Sequence, residues 1–96
     1  MTIADVLRDL DAVDEMSTIY AAEPWTAGSQ VLIEPEPPEE VDSVPMVVQH
    51  LGLKYTYFLE VFVAREFLDG WIGNLATEPT LEDKCERLIR YAITDA

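Results

Sequence analysis

Three stretches of the chain space their apolar residues as amphipathic helices do. The first covers about residues 2–15, where Thr2 and Asp5 form the pattern of a capping box. A second begins near residue 60, and a third follows Thr80. The apolar stripe of the third comprises Leu81, Cys85, Leu88, Ile89, Ala92 and Ile93. The spacing therefore predicts a helix at each end of the chain and one before the last.

Three shorter runs are typical of β-strands. Residues 18–22 and 30–33 are rich in β-prone side chains, and the turn-forming sequence PWTAGS lies between them. Residues 53–59 alternate between two faces, with Leu53, Tyr55, Tyr57 and Leu59 on one of them. We therefore expect two strands before the middle of the chain and one after it.

The middle of the chain contains an acidic, proline-rich segment followed by an apolar run. Residues 34–42 read EPEPPEEVD, and their prolines exclude a regular strand, so an exposed extended loop is expected. Residues 44–51 read VPMVVQHL, between Ser43 as a helix start and Gly52 as a helix end. This pattern predicts a short helix with His50 in its last turn.

The predicted order of elements is α-β-β-α-β-α-α. The simplest way to bury all the apolar stripes is an α+β fold, with a small three-stranded, mainly antiparallel sheet packed against helices. A chain of 96 residues suits one domain, so residues 1–96 are predicted to form a single domain.

The charge of the chain is strongly and unevenly negative. Nineteen acidic and six basic residues give a formal net charge of −13, and residues 1–52 hold eleven acids with Arg8 as their only arginine or lysine. Such a field repels nucleic-acid phosphates and anionic membrane surfaces. We therefore expect no direct binding to nucleic acid or to a membrane, and we expect most acids of the first half to lack a basic neighbour.

Little in the sequence indicates catalysis. Cys85, the one cysteine, lies on an apolar stripe and is predicted to be a core residue, and His50 has no nucleophile motif beside it. No phosphate-binding loop, zinc spacing or nucleophile elbow occurs, so we predict no catalytic, cofactor-binding or metal-ligating residues and no cofactor. The opening residues lack the pattern of a signal peptide and no apolar run is long enough to cross a bilayer, so a cytoplasmic protein is expected.

Two features are candidates for partner binding. The carboxylates of the acidic segment could attract a basic protein, although a solvated loop that keeps the protein soluble is the more common role of such a segment. Trp25 lies in a predicted loop, where an aromatic ring either folds back onto the sheet or contacts a partner. The candidate partner-binding residues are Trp25, Glu34, Glu36, Glu39, Glu40 and Asp42.

Several short motifs resemble a family of small acidic bacterial proteins known only as a domain of unknown function. They are Val6-Leu7, Ile19-Tyr20, Trp25-Thr26, the acidic loop 34–42 and residues 52–55. The family brings no established activity. In size and charge its members look like immunity or accessory proteins.

Three function classes stay open from the sequence. The leading hypothesis is a non-enzymatic acidic binding protein, of the immunity or inhibitor type, that holds a basic protein through its first half. The alternative is a small structural or self-associating domain that forms a homo-oligomer, with its acidity serving solubility. The third is a carboxylate-dependent enzyme.

Overall fold

The computed structural model describes residues 1–35 and 45–95, with the exception of the Asp95 side chain. Within these ranges the regular elements form an antiparallel sheet and a set of helices, which confirms the predicted α+β class. In chain order they are α1 (Ile3–Arg8), β1 (Thr18–Ala21), β2 (Val31–Glu34), β3 (Val47–His50), β4 (Leu53–Glu60), α2 (Val61–Ile72) and α3 (Leu81–Asp95).

The sheet has four strands in the order β2-β1-β4-β3, and each neighbouring pair is antiparallel. The predicted number of strands, three, is therefore wrong, because the sheet contains a fourth strand. The three predicted strands are β1, β2 and β4, and the last extends over Leu53–Glu60. β1 and β4 are the two inner strands, each paired on both sides.

The fourth strand replaces the short helix predicted for residues 44–51. Of that segment, the described part forms β3, which pairs with β4 across a two-residue turn at Leu51 and Gly52. Both turn residues have positive φ, 50° and 80°, as this kind of hairpin turn requires. Gly52 therefore closes a hairpin instead of ending a helix. His50 is exposed on a strand, and its predicted position at a helix C-terminus is wrong.

The first helix is shorter than the predicted 2–15. Its capping box is present, with the Asp5 amide donating to Thr2 Oγ1 at 3.2 Å and the Thr2 amide donating to Asp5 Oδ2 at 2.9 Å. The pKa of the Asp5 carboxyl is lowered, first by the hydrogen bond from the Thr2 amide and next by the Thr2 side chain. The α-helix ends at Arg8, and Leu10–Ala12 form one 3₁₀ turn. Aspartate is unfavourable in the interior of a helix, and residues 5–14 include four aspartates. Their presence is consistent with the early end of the α-helix.

One face of the sheet packs against the helices. Ile19 and Ala21 of β1 lie in this core, and α1 and α2 both contact α3. A bulge in β4 leaves Phe58 between the residues that pair with Ile19 and Tyr20, so both Phe58 and Leu59 are buried in the same core. Cys85 is also there, as predicted, and its burial raises the pKa of the thiol.

The opposite face carries no described helix but is also buried at its centre. Tyr20 is only 1 % exposed and lies between two residues of the helix-facing core, so its ring points to the other side. It meets the Tyr57 ring edge-on at 6.1 Å, and its hydroxyl donates to the Pro45 carbonyl at 2.8 Å. This bond ties the chain that leads into β3 to the centre of the sheet.

Candidate protein-binding surface

One end of the sheet brings together carboxylates from both halves of the chain. β1 begins at this end, whereas β2 and β4 finish there. Thr18 therefore pairs with Glu34 on one side and with Glu60 on the other. Residues directly opposite one another point to the same face of a sheet, so both glutamates flank Thr18 on one face. We call this region the acidic end, comprising Asp14, Glu15, Glu34, Glu60 and Glu66.

An open depression lies beside the acidic end, where the chain before β1 meets the start of α2. The Phe62 amide donates to the Glu15 carbonyl at 3.1 Å and holds the two segments together. The depression has a volume of about 430 Å³. Its lining consists of Glu15, Met16, Phe62, Arg65, Glu66 and Asp69.

The depression has an apolar part and a charged rim. The Met16 and Phe62 side chains are 48 % and 38 % exposed, although each is large and apolar. Glu15, Glu66 and Asp69 line the same depression. Exposed apolar side chains next to charged groups are common in protein interfaces.

Arg65 is the basic residue of this depression. Its guanidinium lies 3.6 Å from an Asp11 oxygen and 3.8 Å from a Glu15 oxygen. The sequence had suggested that acids of the first half would lack basic neighbours, and these two find one in the second half. Both carboxylates are mostly exposed, so each pair contributes little to stability. One cation shared by two carboxylates leaves the local charge negative.

The predicted acidic site is only partly within the described residues. Glu34 belongs to the acidic end, at the last position of β2. Glu36, Glu39, Glu40 and Asp42 lie outside the described residues. The chain therefore enters its acidic segment directly from the end of the sheet where the other carboxylates converge.

Trp25 lies elsewhere. It belongs to the loop that joins β1 to β2, at the end of β2 opposite Glu34. Its ring folds back onto the sheet, which is the more common outcome for an aromatic residue in a loop. The ring meets the Phe58 ring edge-on, with 4.9 Å between the ring centroids. Its indole N–H donates to the Ala21 carbonyl at 3.3 Å. The ring is partly buried against the core, so the structure does not bring Trp25 and Glu34 together.

Sequence reasoning missed the contribution of α2 to this surface. Phe62, Glu66 and Asp69 follow one another at i, i+4 and i+7, which places them on one helix face. That face differs from the buried one, which carries Val61, Ala64 and Leu68. A large aromatic residue off the apolar stripe of an amphipathic helix is the signal that could have identified Phe62.

Besides burial, Glu34 and Glu60, the two glutamates beside Thr18, also raise the pKa values of Tyr20 and Tyr57 on the same face of the sheet. Burial raises the pKa of Tyr20, and the Glu34 charge raises it further. Burial likewise raises the pKa of Tyr57, with an added effect of Glu60, whose Oε1 accepts from the Tyr57 hydroxyl at 3.4 Å. Both hydroxyls therefore stay protonated through neutral pH and act as hydrogen-bond donors.

The described residues lack the features of two other kinds of site. They contain no group of three or more histidine, cysteine or acidic side chains that could hold a metal ion. Over the same ranges, none of the helices combines the length and the apolar character needed to span a membrane. No family model, curated protein or solved structure matches this chain, so its resemblance to the small acidic bacterial family stays a prediction.

Proposed function

We propose that this protein is a non-enzymatic binding protein that holds a basic protein partner at the acidic end, in the manner of an immunity or inhibitor protein. The observation that carries the proposal is that three acidic residues line one open depression together with the exposed Met16 and Phe62 side chains. Charged rims steer a partner of opposite charge into contact, and apolar groups at the centre then hold it.

The exposure of the charged groups favours binding over catalysis. Proton transfer by a carboxyl group usually needs an enclosed site that shifts its pKa toward neutrality. The Glu15 side chain is 62 % exposed and shares Arg65 with Asp11, in an open depression. Solvated carboxylates of this kind are suited to long-range attraction of a cationic surface.

The first test is affinity copurification from the native host, followed by kinetics with the purified basic partner. The double variant Glu34→Lys, Glu66→Lys is expected to slow association by about tenfold and to flatten its dependence on salt, because Glu66 lines the depression and Glu34 belongs to the acidic end beside it. Stopped-flow or surface plasmon resonance measurements at several ionic strengths would give both quantities. The triple variant Glu36→Lys, Glu39→Lys, Glu40→Lys is expected to act in the same direction.

The matched control is the double variant Glu78→Lys, Glu82→Lys. It changes the net charge equally, but its residues lie before and at the start of α3, away from the acidic end. We expect it to slow association far less. Equal effects of the two double variants would contradict a binding site at the acidic end, and the absence of any basic partner would contradict the proposal as a whole.

Phe62→Ala tests the apolar centre separately. The side chain is partly exposed, so its removal should leave folding almost unchanged while it removes an anchor from the interface. We expect complex dissociation to accelerate by at least about tenfold with little change in the association rate. Ile93→Ala, another exposed apolar position on a helix, is the control. An unchanged dissociation rate for Phe62→Ala would exclude Phe62 as an anchor.

A further inference from the structure

The outer edge of β3 has backbone groups that point away from the sheet. The Tyr57 amide donates to the Met46 carbonyl at 2.9 Å, which makes these two residues a hydrogen-bonded pair. Such pairs alternate along an antiparallel ladder. The amides and carbonyls of Val47 and Gln49 therefore face outward from β4. These outward groups could pair with a further strand at the edge of the sheet.

The side chains around this edge are apolar and exposed. Met46, Val47 and Leu51 are 67 %, 43 % and 89 % exposed, and Leu53 is about half exposed. Natural proteins usually protect an edge strand with charges, prolines or a covering segment. β3 itself contains no acidic residue, lysine or arginine.

The opposite edge of the sheet is protected differently. There Thr2 forms an isolated bridge with Gln30, the Val31 amide donates to the Met1 carbonyl, and the Ile3 amide donates to the Ser29 carbonyl. The N-terminal residues thus cover the beginning of β2. Among the described residues, β3 has no such neighbour on its outer side.

We propose that β3 pairs antiparallel with β3 of a second copy of this chain, which joins the two four-stranded sheets into one. With the two-fold axis at Val48, Val47 of each copy lies opposite Gln49 of the other. These are the residues whose backbone groups face outward, so the register forms about four hydrogen bonds between the strands. Val48 meets its own counterpart, beside Tyr55 on the same face.

The charge pattern selects a second copy over the basic partner proposed above. Residues 43–59 contain no acid and include Lys54, although the whole chain carries −13. One described carboxylate lies beside this hairpin, that of Glu23, whose Oε1 accepts from the Thr56 hydroxyl at 3.2 Å. The hairpin itself offers a basic protein no carboxylate, and two copies that meet along β3 bring no acidic residue of the two strands opposite each other. The acidic end lies beyond the other end of β4: Glu60 is four residues past Thr56, the partner of Val47, or about 13 Å along the strand. The two surfaces are therefore neighbours that use different groups, the outward backbone of β3 and the carboxylates at the end of β4.

The same charges make self-association depend on salt in a distinctive way. Two copies repel through their net charges, and this repulsion is screened as ionic strength rises. An interface of one strand pair is small, so the dimer is expected to be weak. Salt should therefore strengthen the dimer, whereas it should weaken binding of a basic partner at the acidic end.

Sedimentation equilibrium of the full chain, from about 10 µM to about 1 mM and at low and high salt, tests this pairing. We expect a monomer–dimer equilibrium whose dissociation constant falls as salt rises. Val47→Glu should raise that constant at least about tenfold, because it buries a carboxylate against the partner strand. Gln49→Pro should have a similar effect without a charge change, because it removes an outward amide but leaves the β4 ladder intact.

The control is Ile93→Glu, which adds the same charge at an exposed apolar position of α3. It is expected to weaken the dimer much less than Val47→Glu, and circular dichroism should show all three variants folded. A protein that stays monomeric at every concentration and salt level overturns the proposal. So does a dimer that both β3 variants leave unchanged, or one that salt weakens.

Discussion

Replacing Trp25 by alanine is expected to lower the free energy of unfolding by about 2–4 kcal/mol, slightly below the range for a fully buried aromatic residue. The ring is partly exposed, but it packs edge-on against Phe58, which is buried at the centre of the core. For a chain of this length, such a loss lowers the melting temperature by roughly 10–25 °C. Thermal and urea unfolding followed by circular dichroism would measure both.

Trp25→Phe distinguishes the contribution of ring packing from that of the indole hydrogen bond. It keeps an aromatic contact with Phe58 but removes the indole donor to the Ala21 carbonyl. That carbonyl also accepts from the Thr56 hydroxyl at 3.1 Å, so it keeps a partner and the cost should be only about 1 kcal/mol. If Trp25→Ala is as stable as the wild type, the ring does not stabilise the core and a role in partner contact becomes the better explanation.

Replacing Tyr20 by alanine is expected to cost about 3–5 kcal/mol, because a large and almost completely buried ring is lost from the centre of the helix-free face. Tyr20→Phe is the matched control, since it removes only the hydroxyl that donates to Pro45. Pro45 is exposed, so water can replace that donor and the expected cost is about 1 kcal/mol. Equal losses for the two variants would show that the hydroxyl, and not the packing of the ring, dominates.

A comparison of Tyr20→Phe with the wild type also predicts how the free energy of unfolding depends on pH. The pKa of Tyr20 is raised above its ordinary value of 10.0 in the folded protein, first by burial and then by Glu34. Its contribution to stability is therefore complete below pH 10 and is lost as the pH rises through the folded pKa, because the unfolded chain gives up the proton first. Tyr20→Phe should therefore lose less stability than the wild type as the pH rises above 10.0, as measured by urea unfolding. Identical alkaline slopes would contradict this.

Local sequence determined the elements whose signals lie within a few residues. The box formed by Thr80 and Asp83 begins α3, where each residue's amide bonds the side chain of the other. The alternation of residues 53–59 identified β4, and the apolar stripe of α3 placed Cys85 in the core. Each of these patterns has the period of its own element, so no distant residue was needed to interpret it.

Residues 44–51 show where local sequence was not sufficient. A short apolar run with no clear period is compatible with a helix or with a strand, and Ser43 and Gly52 resembled helix caps. The structure resolves the described part as β3 because β4 offers a strand edge directly across the turn at Leu51 and Gly52. A strand is stabilised by hydrogen bonds to its neighbour, so the presence of a pairing strand decides whether such a segment becomes a strand or a helix.

The candidate surface was likewise only half visible in the sequence. The sequence by itself determined that the chain is strongly acidic, that the first half holds most of the charge, and that Glu34 begins an acidic segment. Only the tertiary structure brought Glu60 beside Glu34 across Thr18, placed Phe62 and Glu66 next to Glu15, and turned Trp25 onto the core. Charge is a sum over residues and needs no fold, whereas a binding surface depends on strand pairing between residues far apart in the chain.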